Sequence, residues 1–303
     1  MYGHIADKLA RGGVIILDGG TGTDIQRRGV PMNGSTWCAE ANLTHPQVVR
    51  EVHEGYIAAG ADVIIANTFA TSPLLFNALD RDADVIAIDR AAVAIAREAA
   101  RGHMVAVAGS LSTMRPVVAG SDRTSKQREW PEPQARELFR RKAENLAACG
   151  VDLIITEMMR DTDYSVWASE AALATGLPVW IGISAERQDG GRLTGFGRED
   201  QPLDDVIRAL AALKPALIAI MHTSPTDTDE ALDMLRRQWS GPAAVYPESG
   251  YFKMPEWTFV DIIPPDELVA KARSWRRKGA SAFGGCCGLG PEHIAALNEA
   301  FAS

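Results

Sequence analysis

Cysteine is scarce, with four residues in 303, too few for a disulfide framework. Nor is there a basic excess. The formal charge is −8, whereas a sequence-independent nucleic-acid surface needs the opposite sign. No stretch has the ~18 uninterrupted apolar residues of a membrane span. Nothing near the start combines a basic stretch, an apolar run and a small-residue cleavage site. These absences lead to the expectation of a cytoplasmic protein with reduced thiols and neither a nucleic-acid nor a membrane partner. Apolar residues are plentiful. A hydrophobic content of 46%, with 7% aromatic, is enough to bury a large core, and an α/β barrel of this length can be one domain. The basic cluster Trp275-Arg276-Arg277-Lys278 reads as the solvated end of a helix.

Apolar, β-rich runs recur along the chain: Val14 to Leu17, Asp62 to Ala66, Met104 to Ala108, Leu153 to Thr156, Val179 to Ile183, Leu217 to Met221, Ala243 to Tyr246 and Ala280 to Phe283. The segments Pro46 to Ala59, Val85 to Arg101, Pro133 to Ala148, Asp204 to Leu213, Thr228 to Trp239 and Pro265 to Lys278 are long enough for helices between them. Alternating strands and helices predict parallel strands with crossover helices. Eight such units predict an α/β fold of the (β/α)8 TIM-barrel type, with a doubly wound open sheet as the alternative. Leu111 to Pro131 and Pro247 to Pro264 read as long loops over the barrel top.

In such barrels the chemistry gathers where strands end. The exits carry Asp18, Asn67, Ser110, Glu157, Ser184, His222, Tyr246 and the adjacent pair Cys286-Cys287. Consecutive cysteines do not easily bond to each other, but both can turn thiolates toward one metal ion. Glycines flank them in Gly284-Gly285-Cys286-Cys287-Gly288, so the main chain can turn sharply there. Catalytic zinc usually keeps three protein ligands and leaves a fourth place open. His222 from the sixth strand with Cys286 and Cys287 from the eighth could supply those three, with Zn2+ as the cofactor. Cys38 and Cys149 read as buried or incidental.

These residues resemble the zinc-dependent homocysteine S-methyltransferases, almost end to end. Leu17-Asp18-Gly19-Gly20-Thr21-Gly22-Thr23 is similar to the family's opening strand and loop. Gly60-Ala61-Asp62 leading into Ala66-Asn67-Thr68-Phe69 is similar to its second unit, Ala108-Gly109-Ser110 to its third and Val151-Asp152-Leu153-Ile154 before Glu157 to its fourth. Tyr246-Pro247 with Ser249-Gly250 matches the seventh. The most specific match is the cysteine run followed by Pro291-Glu292-His293-Ile294. The resemblance implies one homocysteine-binding barrel domain over residues 1–303. Its small-molecule substrates would be homocysteine, or a close thiol analogue, and a sulfonium or quaternary ammonium methyl donor. Asp18 and Glu157 would accept from the amino group of homocysteine. Gly19 and Gly20 would let the backbone approach it, and Asn67, Thr68, Ser110 and Tyr246 would line the pocket. Phe69, Tyr246, Tyr251 and Trp257 are candidates to face a cationic donor. Whether identical chains assemble is left open.

The chain departs from the family pattern at several points. His222 stands where a third cysteine is usual, which lowers the ligand negative charge by one unit and makes the bound substrate thiolate a poorer nucleophile. Glu248 stands where asparagine is usual and is expected either to be exposed or to favour a cationic donor. The Ser110 loop lacks Gly-Pro, and Met158-Met159-Arg160 replaces a short turn. A metal-dependent hydrolase or lyase, or an amino-acid-binding relative without turnover, stays open at this level.

Overall fold

The computed structural model describes residues 1–118, 129–253 and 258–301. In chain order the strands among them are β1 (Ile15–Ile16), β2 (Val63–Ala66), β3 (Ala106–Ser112), β4 (Leu153–Met159), β5 (Val179–Ile183), β6 (Ala185–Arg187), β7 (Leu193–Gly195), β8 (Arg198–Pro202), β9 (Leu217–Met221), β10 (Ala243–Tyr246), β11 (Tyr251–Lys253), β12 (Thr258–Val260) and β13 (Ala282–Phe283). Eight form one parallel sheet in the order β1-β13-β10-β9-β5-β4-β3-β2. Its two edges meet at a parallel bridge between Leu17 and Val63. There the Asp62 N–H donates to the Ile16 carbonyl at 2.7 Å and the Asp18 N–H to the Val63 carbonyl at 3.0 Å. The expected (β/α)8 barrel is therefore present, and each of its strands overlaps one of the eight apolar runs.

The runs look continuously apolar because each strand is buried on both faces. Leu153 and Ile155, Leu217, Ala219 and Met221, and Ala244 and Tyr246 fill the barrel interior. The alternate residues Ile154, Ile218, Ile220 and Val245 pack under the surrounding helices. Alanines at 106, 108, 219, 244 and 282 leave room inside for the fully buried Trp180. A helix absent from the expected set, Tyr2–Ala10, plugs the bottom. Its Ile5 is fully buried in the interior cluster, a burial that stabilises by roughly 1.5–3 kcal/mol. The Tyr2 ring stands edge-on to Trp180, whose indole N–H donates to the Tyr2 hydroxyl at 3.1 Å.

Two aspartates explain why the second and fourth units carry Asp just before the strand. Asp62 accepts the Ile16 N–H at 2.8 Å and Asp152 the Val107 N–H at 2.8 Å, so each grips the neighbouring strand.

The observed helices Pro46–Ala58, Asp82–Ala99, Glu132–Ala148, Leu203–Ala211, Pro225–Gln238 and Pro265–Arg277 answer to the six expected ones. Tyr164–Leu173 and Pro291–Phe301 complete the ring. Several expectations need correction. Met104 is 70% exposed and lies before β3. Ser110 and Glu157 sit within β3 and β4, which run on to Ser112 and Met159, so they are not at strand exits. The Pro247 to Pro264 loop contains the antiparallel β11–β12 pair. An unexpected three-stranded antiparallel sheet, β6–β8, follows β5. No helix among the described residues is long and apolar enough to cross a membrane.

Candidate functional site

A cavity of about 390 Å³ opens at the C-terminal ends of the barrel strands. His222, Cys286 and Cys287 converge on its wall, with one ligand atom from each lying within 4.8 Å of the others. The convergence follows from the sheet order, because β9 and β13 both flank β10. The cysteine turn is bolted to its neighbours. The Gly285 N–H donates to the Asp18 carbonyl at 3.0 Å, Cys286 N–H to Pro247 at 2.8 Å, and Ser249 N–H to Cys287 at 3.1 Å. Gly288 takes φ +86, a left-handed conformation that favours glycine. Gly20 lets the β1 exit approach closely, since a Cβ there would stand 2.6 Å from the Cys286 carbonyl. Its lost side chain thus serves packing against the cysteine turn as well as the cavity.

Two thiols and an imidazole are a donor set suited to zinc. The Cys286 thiol is pushed well above its ordinary pKa by its hydrogen bond with Cys287 and by burial. A cation is what would let both sulfurs ionise side by side. The His222 ring is held on several sides. Its Nδ1 lies 3.4 Å from Cys286 Sγ, its Nε2 3.1 Å from Glu248 Oε2, and Phe196 stands edge-on at 5.0 Å between centroids. The backbone at His222 has φ 42, unusual for a non-glycine residue. It is locked there by His222 N–H to Tyr246 O at 3.2 Å and by Ser184 Oγ donating to His222 O at 2.9 Å.

Across the cavity, a polar chain runs through the barrel wall. Thr68 Oγ1 donates to the Ser110 carbonyl at 2.9 Å and accepts the Ser110 N–H at 2.8 Å, and Ser110 Oγ donates to Glu157 Oε2. Behind it Lys142 Nζ donates to the Thr68 carbonyl, to Thr71 Oγ1 and to Asp89 Oδ1, the last at 2.6 Å. Burial raises the Glu157 pKa to about 7 against the lowering pull of Ser110, Tyr246 and His222. Burial likewise pushes Asp18 well above the usual carboxylate range, and the nearby Glu157 charge adds to it. Asp18 Oδ2 accepts the Ile65 N–H at 2.7 Å, while its buried Oδ1 has no partner among the described residues. The Tyr246 hydroxyl lies beside Glu157 but makes no hydrogen bond of normal geometry there. Burial and the Glu157 charge keep it protonated, hence a donor.

Gly19, Gly20, Asn67, Glu157, Tyr246, His222, Cys286 and Cys287 line the cavity. Asp18, Thr68 and Ser110 are buried behind that wall and do not line it. Asn67 is tied into the β2 exit, donating to the Cys38 carbonyl at 3.1 Å and accepting from the Cys38 thiol. Of the aromatic candidates, Phe69 and Tyr246 line the cavity, Tyr251 is 59% exposed and does not, and Trp257 lies outside the described residues. Glu248 is neither fully exposed nor on the cavity wall, because it is turned toward His222. Sequence reading missed Trp37, Met114, Arg160, Glu186, Phe196 and Phe252. Glu186 and Phe196 come with the β6–β8 sheet, whose Asp189-Gly190 turn between short runs is a hairpin signal. His293 of the closing motif is structural, accepting the Gly290 N–H on Nδ1 and facing the Ile263 carbonyl with Nε2 at 2.8 Å.

This geometry has counterparts among known proteins. The sequence profile described as homocysteine S-methyltransferase matches residues 15–301. Homocysteine S-methyltransferase 1 of Zea mays is 28% identical over 98% of this chain and 97% of its own length. Betaine–homocysteine S-methyltransferase 1 of Mus musculus is 27% identical over 98% of this chain and 74% of its own. The crystal structure of the metallated homocysteine methyltransferase MmuM from Escherichia coli matches with a TM-score of 0.76 at 26% identity, over 94% of this chain and 96% of that one. The chain thus belongs to the homocysteine S-methyltransferase family.

Proposed function

We propose that this protein transfers a methyl group from a small sulfonium or quaternary ammonium donor to the thiol of homocysteine, giving methionine, with Zn2+ held by His222, Cys286 and Cys287. The observation that carries the reading is the two-cysteine, one-histidine cluster on the wall of a cavity that also presents Glu157. Zinc, when bound, supplies the Lewis acidity that keeps a substrate thiol deprotonated near neutrality. The chain's own groups do the rest. Glu157, with Asp18 behind it, accepts from the ammonium of the amino acid, and Ser110 and Thr68 hold the Glu157 carboxylate in place. Tyr246 keeps its hydroxyl as a donor at the same end, and Gly19 and Gly20 leave the β1 exit open to the substrate. In the transfer, sulfur attacks the methyl carbon, the carbon–sulfur or carbon–nitrogen bond of the donor breaks, and the leaving group departs neutral with the bonding pair. The thiol proton has already gone to solvent, so no general base acts during transfer.

The cavity lining also has the composition expected to receive a cationic donor. Trp37, Phe69, Phe196 and Phe252 offer ring faces or edges, and Glu186 and Glu199 add negative charge. The free cysteines fit a reducing, cytoplasmic location. The test is elemental analysis with zinc-edge X-ray absorption, with and without homocysteine. Expected is about one zinc per chain bound by two sulfurs and one nitrogen, gaining a third sulfur when homocysteine is added. Cys286→Ala and Cys287→Ala should each lose the metal and methionine formation while keeping the far-UV circular dichroism of the barrel. A cysteine variant with full zinc occupancy, or a metal shell indifferent to homocysteine, refutes the assignment.

A further inference from the structure

His222 and Glu248, both read from the sequence as departures from the pattern of the family it resembles, are in contact. Tyr246 pairs with Met221 across β10 and β9, so the residues just beyond each strand end are brought side by side. His222 Nε2 then lies 3.1 Å from Glu248 Oε2, with the Glu248 side chain only 22% exposed. We propose that Glu248 is a positioning residue for His222, and that it returns to the site the negative charge lost when imidazole stands in place of a thiolate. The inference rests on the zinc reading above.

The chemistry runs through the two ring nitrogens. In a neutral imidazole one nitrogen carries the proton and the other a lone pair. A carboxylate at Nε2 requires the proton there and leaves the lone pair on Nδ1, the nitrogen that faces Cys286 at 3.4 Å. Outer-shell carboxylates of this kind fix the tautomer and ring orientation and raise ligand basicity. Charge bookkeeping points the same way. Two thiolates and an imidazole carry one negative charge fewer than three thiolates, and the Glu248 carboxylate, 3.1 Å from the His222 ring, would restore it behind that ligand. Asparagine at 248 could orient the ring through its side-chain oxygen but could not restore the charge, so the two departures belong together.

The test is a double-mutant cycle on the purified chain, read as zinc affinity by chelator competition and as the thiolate-to-metal absorption of the cobalt-loaded protein. In the His222 background, Glu248→Gln should weaken zinc binding by about 10- to 100-fold and shift the cobalt spectrum, and Glu248→Asp should recover part of the loss. In the His222→Cys background, Glu248→Gln should leave affinity unchanged or raise it. Thermal unfolding of the metal-free protein should be the same for Glu and Gln. An equal loss of affinity in both backgrounds makes Glu248 a structural residue and overturns the inference, as does no loss in either. A wild-type chain that binds neither zinc nor cobalt overturns the metal reading, and this inference with it.

Discussion

Replacing Lys142 by Met removes one of two paired buried charges whose contacts reach into the site. Lys142 and Asp89 have fully buried side chains, with Nζ 2.6 Å from Oδ1. Burial pushes the Asp89 carboxyl up and the Lys142 amine down, while each pulls the other back toward its charged form. Methionine fills much the same space but leaves Asp89 with only Thr71 and Asn145 as partners. Removing one member of a buried pair costs about 3–5 kcal/mol. With an unfolding entropy of roughly 2 cal/mol/K per residue, a chain of this size should lose about 5–8 °C in Tm. Thermal unfolding by circular dichroism at pH 7.5 and 5.5 measures this. Without Lys142 the folded-state pKa of Asp89 rises further above its unfolded value, so protonation relieves the strain and the gap to wild type should narrow at pH 5.5. Replacing both members, as in Lys142→Met with Asp89→Leu, should cost less than the single change. A Tm within about 1 °C of wild type, on the same scale of roughly 2 cal/mol/K per residue, or a gap that widens in acid, refutes the reasoning.

Glu157 carries a second expectation. With its pKa near 7, the carboxylate proposed to receive the substrate ammonium is increasingly protonated below neutrality, so the KM for homocysteine should rise as pH falls from 8 to 6. Glu157→Gln should raise KM by roughly 10- to 100-fold, the worth of a charge-assisted hydrogen bond, and flatten that inflection; the same inflection in the variant would sink the role. His53 supplies a third. It is buried in the Pro46–Ala58 helix with both ring nitrogens unpartnered among the described residues, and burial lowers its pKa to about 4. The unfolded chain takes up this proton near 6.5 and the folded one does not, so stability is intact above pH 6.5 and falls by about 3 kcal/mol as pH drops to 4. Urea unfolding of His53→Leu should lack this component, and a wild-type acid slope in that variant counts against it.

The barrel was legible because each strand carries a run apolar on both faces, and a run such as Leu217 to Met221 needs no tertiary knowledge to be noticed. The Tyr164–Leu173 helix was harder to see, since apolar residues spread around it and leave no polar stripe to mark its period. The helix Tyr2–Ala10 was overlooked because its burial depends on the barrel floor it plugs. At the site, His222, Cys286 and Cys287 could be named from the strand ends they follow, whereas Asp18, Ser110 and Thr68 could be named but not layered. Which polar residue faces the cavity and which stands behind it depends on strand length and register, and β3 and β4 run further than their apolar runs suggest. The contact between Glu248 and His222 joins two loops 26 positions apart (248 − 222), and no local pattern encodes it.

The polar chain from Lys142 through Thr68 and Ser110 to Glu157 has a consequence for anyone rebuilding this enzyme. Loop grafting usually treats the wall of a barrel as inert and the rim as exchangeable. Here the wall between β2 and β4 is itself wired, so a rim segment imported from a relative brings the wrong counterparts unless its neighbours on the outer helix travel with it. Libraries that vary the rest of the cavity lining should therefore leave these four positions untouched, or exchange all four as a block.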